Sequence, residues 1–498
     1  MKKAIIASKA VRNGIILLTV ATLFTAIATS CGKHDYKTGE FENPNLNKDI
    51  NEWILENMQI YYLWEKHIPS KTDQKLSPAD YFQSLLYLRE DRFSWIQENY
   101  LELLNSLSGV NTEAGYDYNL LQVSSNDVIG YITYIKPNTP AEAAGLKRGD
   151  YFHKIDGKQI TVDNYSSLTK QISQHHTLGL SVMSGDAITG VRNVELDVIE
   201  SYPENPILLD TVYSISDRKI GYFVYNFFAR DRGDGSIAYE KEMNEVFRKF
   251  KSEQIDELIV DLRYNSGGAV ITTEALAKMI SGQSINQVFY KQEYNDIIDA
   301  YFTSSDGDDY NKMYFINALK RYSASGYEIE SIPINSLSMS SVYFIVSGRS
   351  ASASELLING LKPYMNVVLI GGTTYGKNVG STTIYEQNPN KQKDNKWGLQ
   401  PIVMKMSNAE GFSDYGKGFA PDIAIHEYAD SIRPLGDTEE LLLQTTLNRI
   451  FGIEENSLPK RKRFDSPIPV IASSIDRTPE RKNQYISFEK LKNINIER

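Results

Sequence analysis

The feature that most constrains the fold is a pair of short apolar runs, each followed by a polar break that contains glycine. The runs cover residues 342–346 and 366–370, and residues 356–361 between them suit a short helix. Continuous apolar runs of this length are typical of buried strands. Strands that alternate with helices predict a layered α/β core, whose sites collect at the carboxyl ends of the strands. Ser352, at the corner after the first run, and Lys377, just past the second, are therefore candidate site residues.

The same alternation extends over residues 219–424. Residues 220–225 and 257–262 have the pattern of buried strands, and an amphipathic helix is predicted at 237–250. The pattern weakens over residues 284–340, which are rich in Tyr, Asn, Asp and Ser. We interpret that segment as an insertion over the core.

The regions before and after the predicted core have different sequence patterns. Residues 47–108 predict a small helical domain, in which Ile50, Ile54 and Met58 recur at helical spacing. Residues 431–498 predict a helix followed by a polar tail.

Residues 109–201 read as short strands and turns. The run Pro-Ala-x-x-Ala-Gly-Leu-x-x-Gly-Asp at 140–150 and the Ile-Asp-Gly turn at 155–157 resemble a PDZ domain in the circularly ordered form of bacterial secreted proteases. Such domains bind an extended peptide C-terminus as an added strand. Residues 115–120, where the carboxylate-binding loop is expected, match that pattern poorly. Peptide capture and a purely structural or gating role therefore both stay open.

The N-terminus has the pattern of a targeting segment. A basic start, an apolar run at 15–27 and small residues before Cys31 resemble a bacterial lipoprotein signal. That resemblance implies a signal peptide at 1–30, acylation of Cys31 and a tether at 31–46. The mature chain would be lipid-anchored in the bacterial cell envelope outside the cytoplasm, in the periplasm or at the outer membrane. The alternative is an ordinary secretory signal with an incidental cysteine.

Charge and composition exclude several classes of protein. The formal net charge of −10 argues against a nucleic-acid partner. A single cysteine excludes an intramolecular disulfide and a cysteine-rich zinc site, and the six histidines lack metal-ligand spacing. We therefore predict no metal and no cofactor.

Two interpretations of the candidate site, a phosphate loop and a Ser-His-Asp triad, are disfavoured by the residues around it. Residues 371–377 fit the phosphate-loop pattern G-x-x-x-x-G-K, but Asn378 stands where a Ser or Thr should hold Mg²⁺. A strand pattern follows, where a phosphate loop needs a helix. A Ser-His-Asp triad is weak because no histidine lies between His176 and His426, and Gly-x-Ser-x-Gly is absent around Ser352.

A Ser-Lys dyad is the third reading. A serine hydroxyl needs a base to take its proton, and a lysine can do so only when it is uncharged. Burial must then lower the lysine pKa by about two to three units from about 10.4. Neighbouring glycines would let the backbone bury Lys377. Gly267 and Gly268, at another strand end, and the N–H of Ala353 are the natural donors to an oxyanion.

These residues match a known family. Lys377 follows Ser352 by 25 residues, and Gly-x-Gly-x-x-Pro-Asp stands at 416–422. The chain resembles the carboxyl-terminal processing (tail-specific) proteases, the S41 serine peptidases, through Asp261-Leu262-Arg263-x-Asn265-x-Gly267-Gly268, Ala351-Ser352-Ala353-Ser354-Glu355 and Thr374-Tyr375-Gly376-Lys377.

The resemblance implies a multidomain α/β protein. Its parts would be a helical domain at 47–108, a PDZ domain at 109–201, and a crotonase-like (ClpP-like) catalytic core at 202–430 that includes the insertion at 284–340. A C-terminal helix and tail would follow at 431–498.

The resemblance also implies roles for single residues. Ser352 would be the nucleophile, Lys377 the general base, and Gly267 or Gly268 with Ala353 the oxyanion hole. Many members of the family have a glutamine four residues after the lysine, and here that position is Ser381. A hydroxyl can accept a hydrogen bond from an ammonium group, so Ser381 is the third candidate catalytic residue.

The leading functional hypothesis is a lipid-anchored extracytoplasmic serine endopeptidase. It would cleave polypeptides through an acyl-enzyme, and the family points to cleavage near their C-termini. The alternative is a non-catalytic, PDZ-containing peptide-binding or scaffold lipoprotein. A crotonase-type acyl-CoA enzyme would share the core but is disfavoured by the export signal.

Overall fold

The computed structural model describes most of the chain after the predicted tether. The described residues are 44–184, 187–323, 325–427, 432–453, 470–477, 485–492 and 494. Cys31 and the predicted signal at 1–30 lie outside them. The described residues from Lys48 onward belong to one compact unit.

Helices occur in the N-terminal region, between strands of the core and after it. The described α-helices are α1 (Pro44–Tyr61), α2 (Pro78–Leu85), α3 (Tyr100–Leu107), α4 (Pro140–Ala143), α5 (Tyr165–Thr169), α6 (Ala238–Glu253), α7 (Val270–Ser281), α8 (Asp296–Asp306), α9 (Ala353–Leu361) and α10 (Leu441–Phe451). Short 3-10 turns occur at Glu65–His67, Lys170–Ser173, Ser474–Arg477 and Phe488–Lys490.

The described strands are, in chain order, β1 (Trp95–Gln97), β2 (Val110–Glu113), β3 (Tyr116–Gln122), β4 (Val128–Ile135), β5 (Tyr151–Ile155), β6 (Lys158–Gln159), β7 (His176–Ser184), β8 (Ala187–Leu196), β9 (Ile199–Pro203), β10 (Ile207–Ile215), β11 (Arg218–Tyr225), β12 (Glu257–Asp261), β13 (Val288–Tyr294), β14 (Lys312–Tyr314), β15 (Ala318–Tyr322), β16 (Glu328–Pro333), β17 (Ser341–Val346), β18 (Asn366–Gly371), β19 (Val379–Thr382), β20 (Ile384–Tyr385), β21 (Gly398–Gln400), β22 (Ile402–Asn408), β23 (Ile423–Ala424), β24 (Val470–Ser473) and β25 (Tyr485–Ile486).

A six-stranded sheet forms the core, in the order β10-β11-β12-β17-β18-β23. Neighbours from β11 to β23 are parallel, and β10 joins antiparallel. The apolar runs of the sequence are β11, β12, β17 and β18, so the predicted layered α/β core is confirmed. Leu442, Leu443 and Leu447 of α10 pack on one face of the sheet, in contact with its buried side chains. Burial on both faces explains why the strands read as continuous apolar runs.

A second, five-stranded sheet has the order β14-β13-β22-β19-β25. The segment 284–340, interpreted from its composition as an insertion, supplies β13 and β14 to this sheet. β13 pairs antiparallel with β22, and its Phe289 and Tyr290 are buried. The segment therefore contributes to the structure that supports β19, the strand just after Lys377.

The region with the PDZ-like motifs forms a sheet in the order β24-β3-β4-β5-β7-β8 around its own apolar cluster. Arg148, from the predicted PDZ turn, reaches the rest of the unit. Its Nε donates to the Arg433 carbonyl at 2.7 Å, and its guanidinium also contacts Tyr264 and Glu427. The loop after β12 is thereby tied to the PDZ-like region.

Within the described residues, no helix combines the length and the apolar character that crossing a membrane requires.

Candidate active site

Ser352 lies at a strained corner between β17 and α9. Its backbone has φ +64° and ψ −113°, a region that residues other than glycine adopt at a cost of about 1–3 kcal/mol. The Ser352 N–H donates to Glu355 Oε2 at 2.9 Å. Such a sharp strand-to-helix turn presents a serine Oγ for attack in other α/β enzymes. In this structure the side chain is fully buried.

The hydroxyl groups of the other buried serines of this loop donate hydrogen bonds to backbone carbonyls. Ser350 Oγ donates to the Leu262 carbonyl at 2.7 Å, and Ser354 Oγ donates to the Asn265 carbonyl at 3.0 Å. Ser352 Oγ has no hydrogen-bond partner among the described residues. Ser352 is therefore the buried serine of this corner whose hydroxyl remains available for chemistry.

Gly267 and Gly268 lie against this corner, and both need to be glycine. Their φ angles are +112° and +134°. A Cβ on Gly267 would lie 2.7 Å from Ser352 Cβ, and one on Gly268 would lie 2.1 Å from the Phe228 carbonyl oxygen. The Gly267 N–H already donates to Asn265 Oδ1 at 2.9 Å. The N–H groups of Gly268 and Ala353 have no acceptor in the described part of the chain.

Lys377 is buried between β18 and β19. Its side chain is fully inaccessible, and Nζ lies 4.7 Å from the ring centroid of Phe93. Burial lowers the pKa of Lys377 to about 7, against the opposing charges of Asp91 and Glu355. A substantial fraction of Lys377 is therefore uncharged near neutral pH and able to accept a proton.

Glu355 joins the serine corner to the lysine loop. Besides the Ser352 N–H, its carboxylate accepts hydrogen bonds from Thr374 Oγ1 at 2.6 Å, the Gly376 N–H at 2.7 Å and the Lys377 N–H at 2.8 Å. Burial raises the pKa of Glu355, and these hydrogen bonds oppose the rise. The sequence analysis assigned Glu355 no catalytic role. The available signal was the capping-box spacing Ser352-x-x-Glu355, which places this carboxylate at the start of α9.

Ser381, on β19, replaces the glutamine found in many members of the family, but the side chain of another glutamine, Gln400, contacts it. Gln400 of β21 donates from Nε2 to Ser381 Oγ at 2.9 Å, and Gln400 Oε1 accepts from Thr383 Oγ1 at 2.7 Å. Asn378, the residue after Lys377, donates its amide to the Ser413 carbonyl at 2.7 Å. Sequence reasoning missed Gln400 because the contact depends on strands that come together only in the folded chain.

Two cavities flank these residues. One of about 820 Å³ lies beside the lysine loop and is lined by Arg92, Phe93, Asn378 and Val379, among others. The other, of about 550 Å³, lies beside Ala269, the residue after the glycine pair, and α7, Thr383 and residues 485–489 are among its walls. Among the described residues, no cluster of His, Cys, Asp or Glu could hold a metal ion.

Comparisons with known proteins identify related domains and a related fold. Residues 219–425 match the model of Peptidase family S41, residues 49–95 match the Peptidase S41 N-terminal domain, and residues 131–178 match a PDZ domain. A putative S41 protease from Bacteroides fragilis has the same fold, with a TM-score of 0.63 at 25% identity, over 81% of this chain and 98% of that one.

Curated relatives are more distant in sequence. A probable CtpA-like serine protease of Staphylococcus aureus is 24% identical over 387 residues, which is 77% of this chain and 65% of that protein. The carboxy-terminal processing protease CtpA of Bacillus subtilis is 23% identical over 415 residues, which is 82% of this chain and 74% of that protein. The chain therefore matches slightly less than two thirds of the staphylococcal relative.

Proposed function

Because the chain belongs to peptidase family S41, we propose that it is a serine endopeptidase in which Ser352 is the nucleophile and Lys377 the general base. One observation carries the proposal. Glu355 holds the backbone of Ser352 and of Lys377, while burial brings the pKa of Lys377 to about 7. A nucleophile and a base of suitable pKa are thus positioned by one carboxylate.

The proposed reaction proceeds through an acyl-enzyme. The neutral amine of Lys377 takes the proton of Ser352 Oγ as that oxygen attacks the scissile carbonyl carbon. Lys377 then gives the proton to the departing amine, and the peptide C–N bond breaks. In the second half, Lys377 takes a proton from water, the hydroxide attacks the ester carbon, and Ser352 leaves with the proton returned to its Oγ. The products are a new carboxyl end and a new amino end.

The oxyanion of each tetrahedral intermediate would be held by the N–H groups of Gly268 and Ala353. The Gly267 N–H is occupied by the Asn265 side chain, which favours Gly268 of the two glycines. Backbone donors held in place before the reaction stabilise developing charge without reorganisation.

Ser352 Oγ lacks a partner among the described residues, and the proposed mechanism requires that it form a hydrogen bond with Lys377 when substrate binds. Catalytic hydrogen bonds are often long in free enzymes and tighten in the substrate complex. Ser381 would orient the lysine, and Gln400 would hold Ser381.

The substrates would be polypeptides, because the relatives from Staphylococcus aureus and Bacillus subtilis are named as proteases. We further propose that the chain is anchored by lipid at Cys31, outside the cytoplasm in the bacterial cell envelope. A Cys31→Ala change should release the protein from membranes, and retention of that variant would contradict acylation.

The decisive experiment uses the protein without residues 1–31. Hydrolysis of casein and labelled peptides is compared with that of Ser352→Ala and Lys377→Ala, and both variants should be inactive. Ser354→Ala, two residues away, is the matched control and should retain activity. If the parent protein is inactive across many substrates and pH values, the protease proposal is wrong and the alternative, a non-catalytic peptide-binding protein, is favoured. Full activity of Ser352→Ala would exclude the proposed nucleophile.

A further inference from the structure

The two C-terminal strands each form the outermost strand of a sheet. β24 lies at the edge of the PDZ-like sheet beside β3, and β25 lies at the edge of the five-stranded sheet beside β19. We call residues 470–477 and 485–492 the C-terminal segment. Sequence reasoning assigned this region to a polar tail.

β25 lies between β19, the strand that follows Lys377, and Gly268 of the candidate oxyanion hole. It pairs in parallel with β19, with Ser381 opposite Tyr485 and Thr382 opposite Ile486. On its other side, the Tyr485 N–H donates to the Gly268 carbonyl at 3.2 Å, and Tyr485 bridges to Ala269. The segment therefore contacts the backbone of the candidate oxyanion glycine and the strand that follows Lys377.

Side chains of the segment also fill space beside the site. Tyr485 OH donates to the Leu107 carbonyl at 3.2 Å, and the Phe488 ring lies edge-on to Tyr61 at 5.3 Å. Leu491 is fully buried. The space left among Tyr485, Gly267, Gly268 and their neighbours is a cavity of only about 10 Å³, which is too small for a substrate residue.

β24 covers the PDZ-like sheet in the same manner. It pairs antiparallel with β3, with Val470 opposite Leu121 and Ser473 opposite Asn119. Ser474 Oγ accepts from the Tyr118 N–H at 3.2 Å. Ile471 and Ala472 pack against the apolar cluster of that sheet. β3 begins at the position where the sequence led us to expect a peptide-binding loop.

Exposed strand edges are the surfaces that accept extended peptides. An edge presents unpaired N–H and C=O groups, and an added strand satisfies them whatever its sequence, while pockets for side chains supply selectivity. A segment of the same chain has a high effective concentration at such an edge and competes strongly with a free peptide.

We propose that the C-terminal segment is a tethered competitor of polypeptide substrates. It occupies the edge of β19, where the polypeptide to be cleaved would pair, and the edge of β3, where a PDZ-like domain would hold a peptide. A substrate gains access when the segment withdraws. The competition for cleavage rests on the proposed function, whereas the two peptide-binding edges do not depend on catalysis.

The first test measures binding without cleavage. The protein lacking residues 1–31 and carrying Ser352→Ala is titrated into a fluorescent peptide with the sequence of residues 484–494. Deletion of residues 485–498 should strengthen binding by at least about tenfold, because the tethered competitor is gone. Deletion of residues 495–498 alone is the matched control and should bind like the parent. Equal affinity of all three proteins would overturn the proposal.

The second test measures cleavage with an intact Ser352. Deletion of residues 485–498 should raise kcat/KM by about tenfold, mainly through a lower KM, and the free peptide should inhibit competitively. An unchanged KM in a folded deletion variant would overturn the proposal. If the deletion prevents folding, the double variant Tyr485→Ala/Phe488→Ala loosens the segment and should show the same fall in KM. A protein that binds the peptide but cleaves nothing would contradict the proposed function and leave the binding edges standing.

The third test addresses β3. Deletion of residues 470–498 from the Ser352→Ala protein should expose both edges, whereas deletion of residues 485–498 exposes only the edge of β19. The number of 484–494 peptides bound per protein should therefore be two for the longer deletion and one for the shorter. A stoichiometry that stays at one would exclude the β3 edge as a peptide site.

Discussion

Two buried cations in the same core behave in opposite ways. Arg263, after β12, is 2% exposed, and Lys377, before β19, is 0% exposed. Burial alone would lower the pKa of Arg263, but the charges of Asp261 and Glu440 raise it well above its ordinary value. Its guanidinium lies 2.8 Å from both carboxylates and 2.9 Å from Glu427. Arg263 is therefore a permanent charge at the centre of an ion cluster.

Lys377 also lies near carboxylates, yet burial dominates. The oxygens of Glu355 accept hydrogen bonds from three backbone N–H groups and the Thr374 hydroxyl. Those of Asp91 accept from Tyr62 OH at 2.8 Å and from two N–H groups at 2.9 Å. Burial lowers the pKa of Lys377 to about 7 and outweighs the charges of Asp91 and Glu355, which raise it. Whether a buried cation keeps its charge thus depends on the balance between burial and the carboxylates around it.

The same substitution at both cations gives the sharpest contrast, and Lys377→Met should have the largest effect. Loss of the proposed base should lower kcat/KM by about 10³-fold or more. The free energy of unfolding should not fall, because a buried amine that costs desolvation energy is replaced by an apolar chain of similar length. Steady-state kinetics and urea unfolding on one preparation check both parts. A variant that loses activity only because it unfolds would contradict the comparison.

Arg263→Met should act on stability instead. Removing the guanidinium leaves Asp261, Glu440 and Glu427 buried without their shared partner, which should lower the free energy of unfolding by about 3–5 kcal/mol. Urea denaturation monitored by circular dichroism measures the change. A loss below about 1 kcal/mol would mean that water or rearrangement replaces the cluster.

The pH dependence of cleavage tests the state of Lys377. The base must be uncharged, so kcat/KM should fall about tenfold per pH unit below about 7 and level off above it. The charge of Glu355 raises the pKa of Lys377. Glu355→Gln should therefore move this acid limb to lower pH, and the replacement of one acceptor oxygen by an NH2 group should lower the plateau by about tenfold. An acid limb that moves to higher pH would contradict this account of the lysine.

Gln400→Ala should have the smallest effect of these changes. It removes one neutral hydrogen bond to Ser381, worth about 0.5–1.5 kcal/mol, so kcat should fall by about three- to tenfold. In a Ser381→Ala background the same change should add little, since Gln400 acts through that hydroxyl. If the effects of the two substitutions are independent in a double-mutant cycle, Gln400 does not act on Lys377 through Ser381.

The sequence by itself determined the layers of the core and the region of the site. Apolar runs predict β11, β12, β17 and β18 because strands buried on both faces must be apolar throughout. The strand-to-helix corner indicated Ser352, and the family resemblance supplied its spacing to Lys377. The roles proposed for Ser352 and Lys377 await the variants described above.

The tertiary structure decided what local pattern could not encode. The hydrogen bond from Gly267 to Asn265, which leaves Gly268 as the candidate donor, depends on the geometry of one loop. The contact of Gln400 with Ser381 and the docking of Tyr485 beside Gly268 join residues distant in sequence. Periodicity in a sequence records which face of an element is buried. It does not record which strand edge a segment pairs with, because edge pairing uses backbone groups that every residue carries.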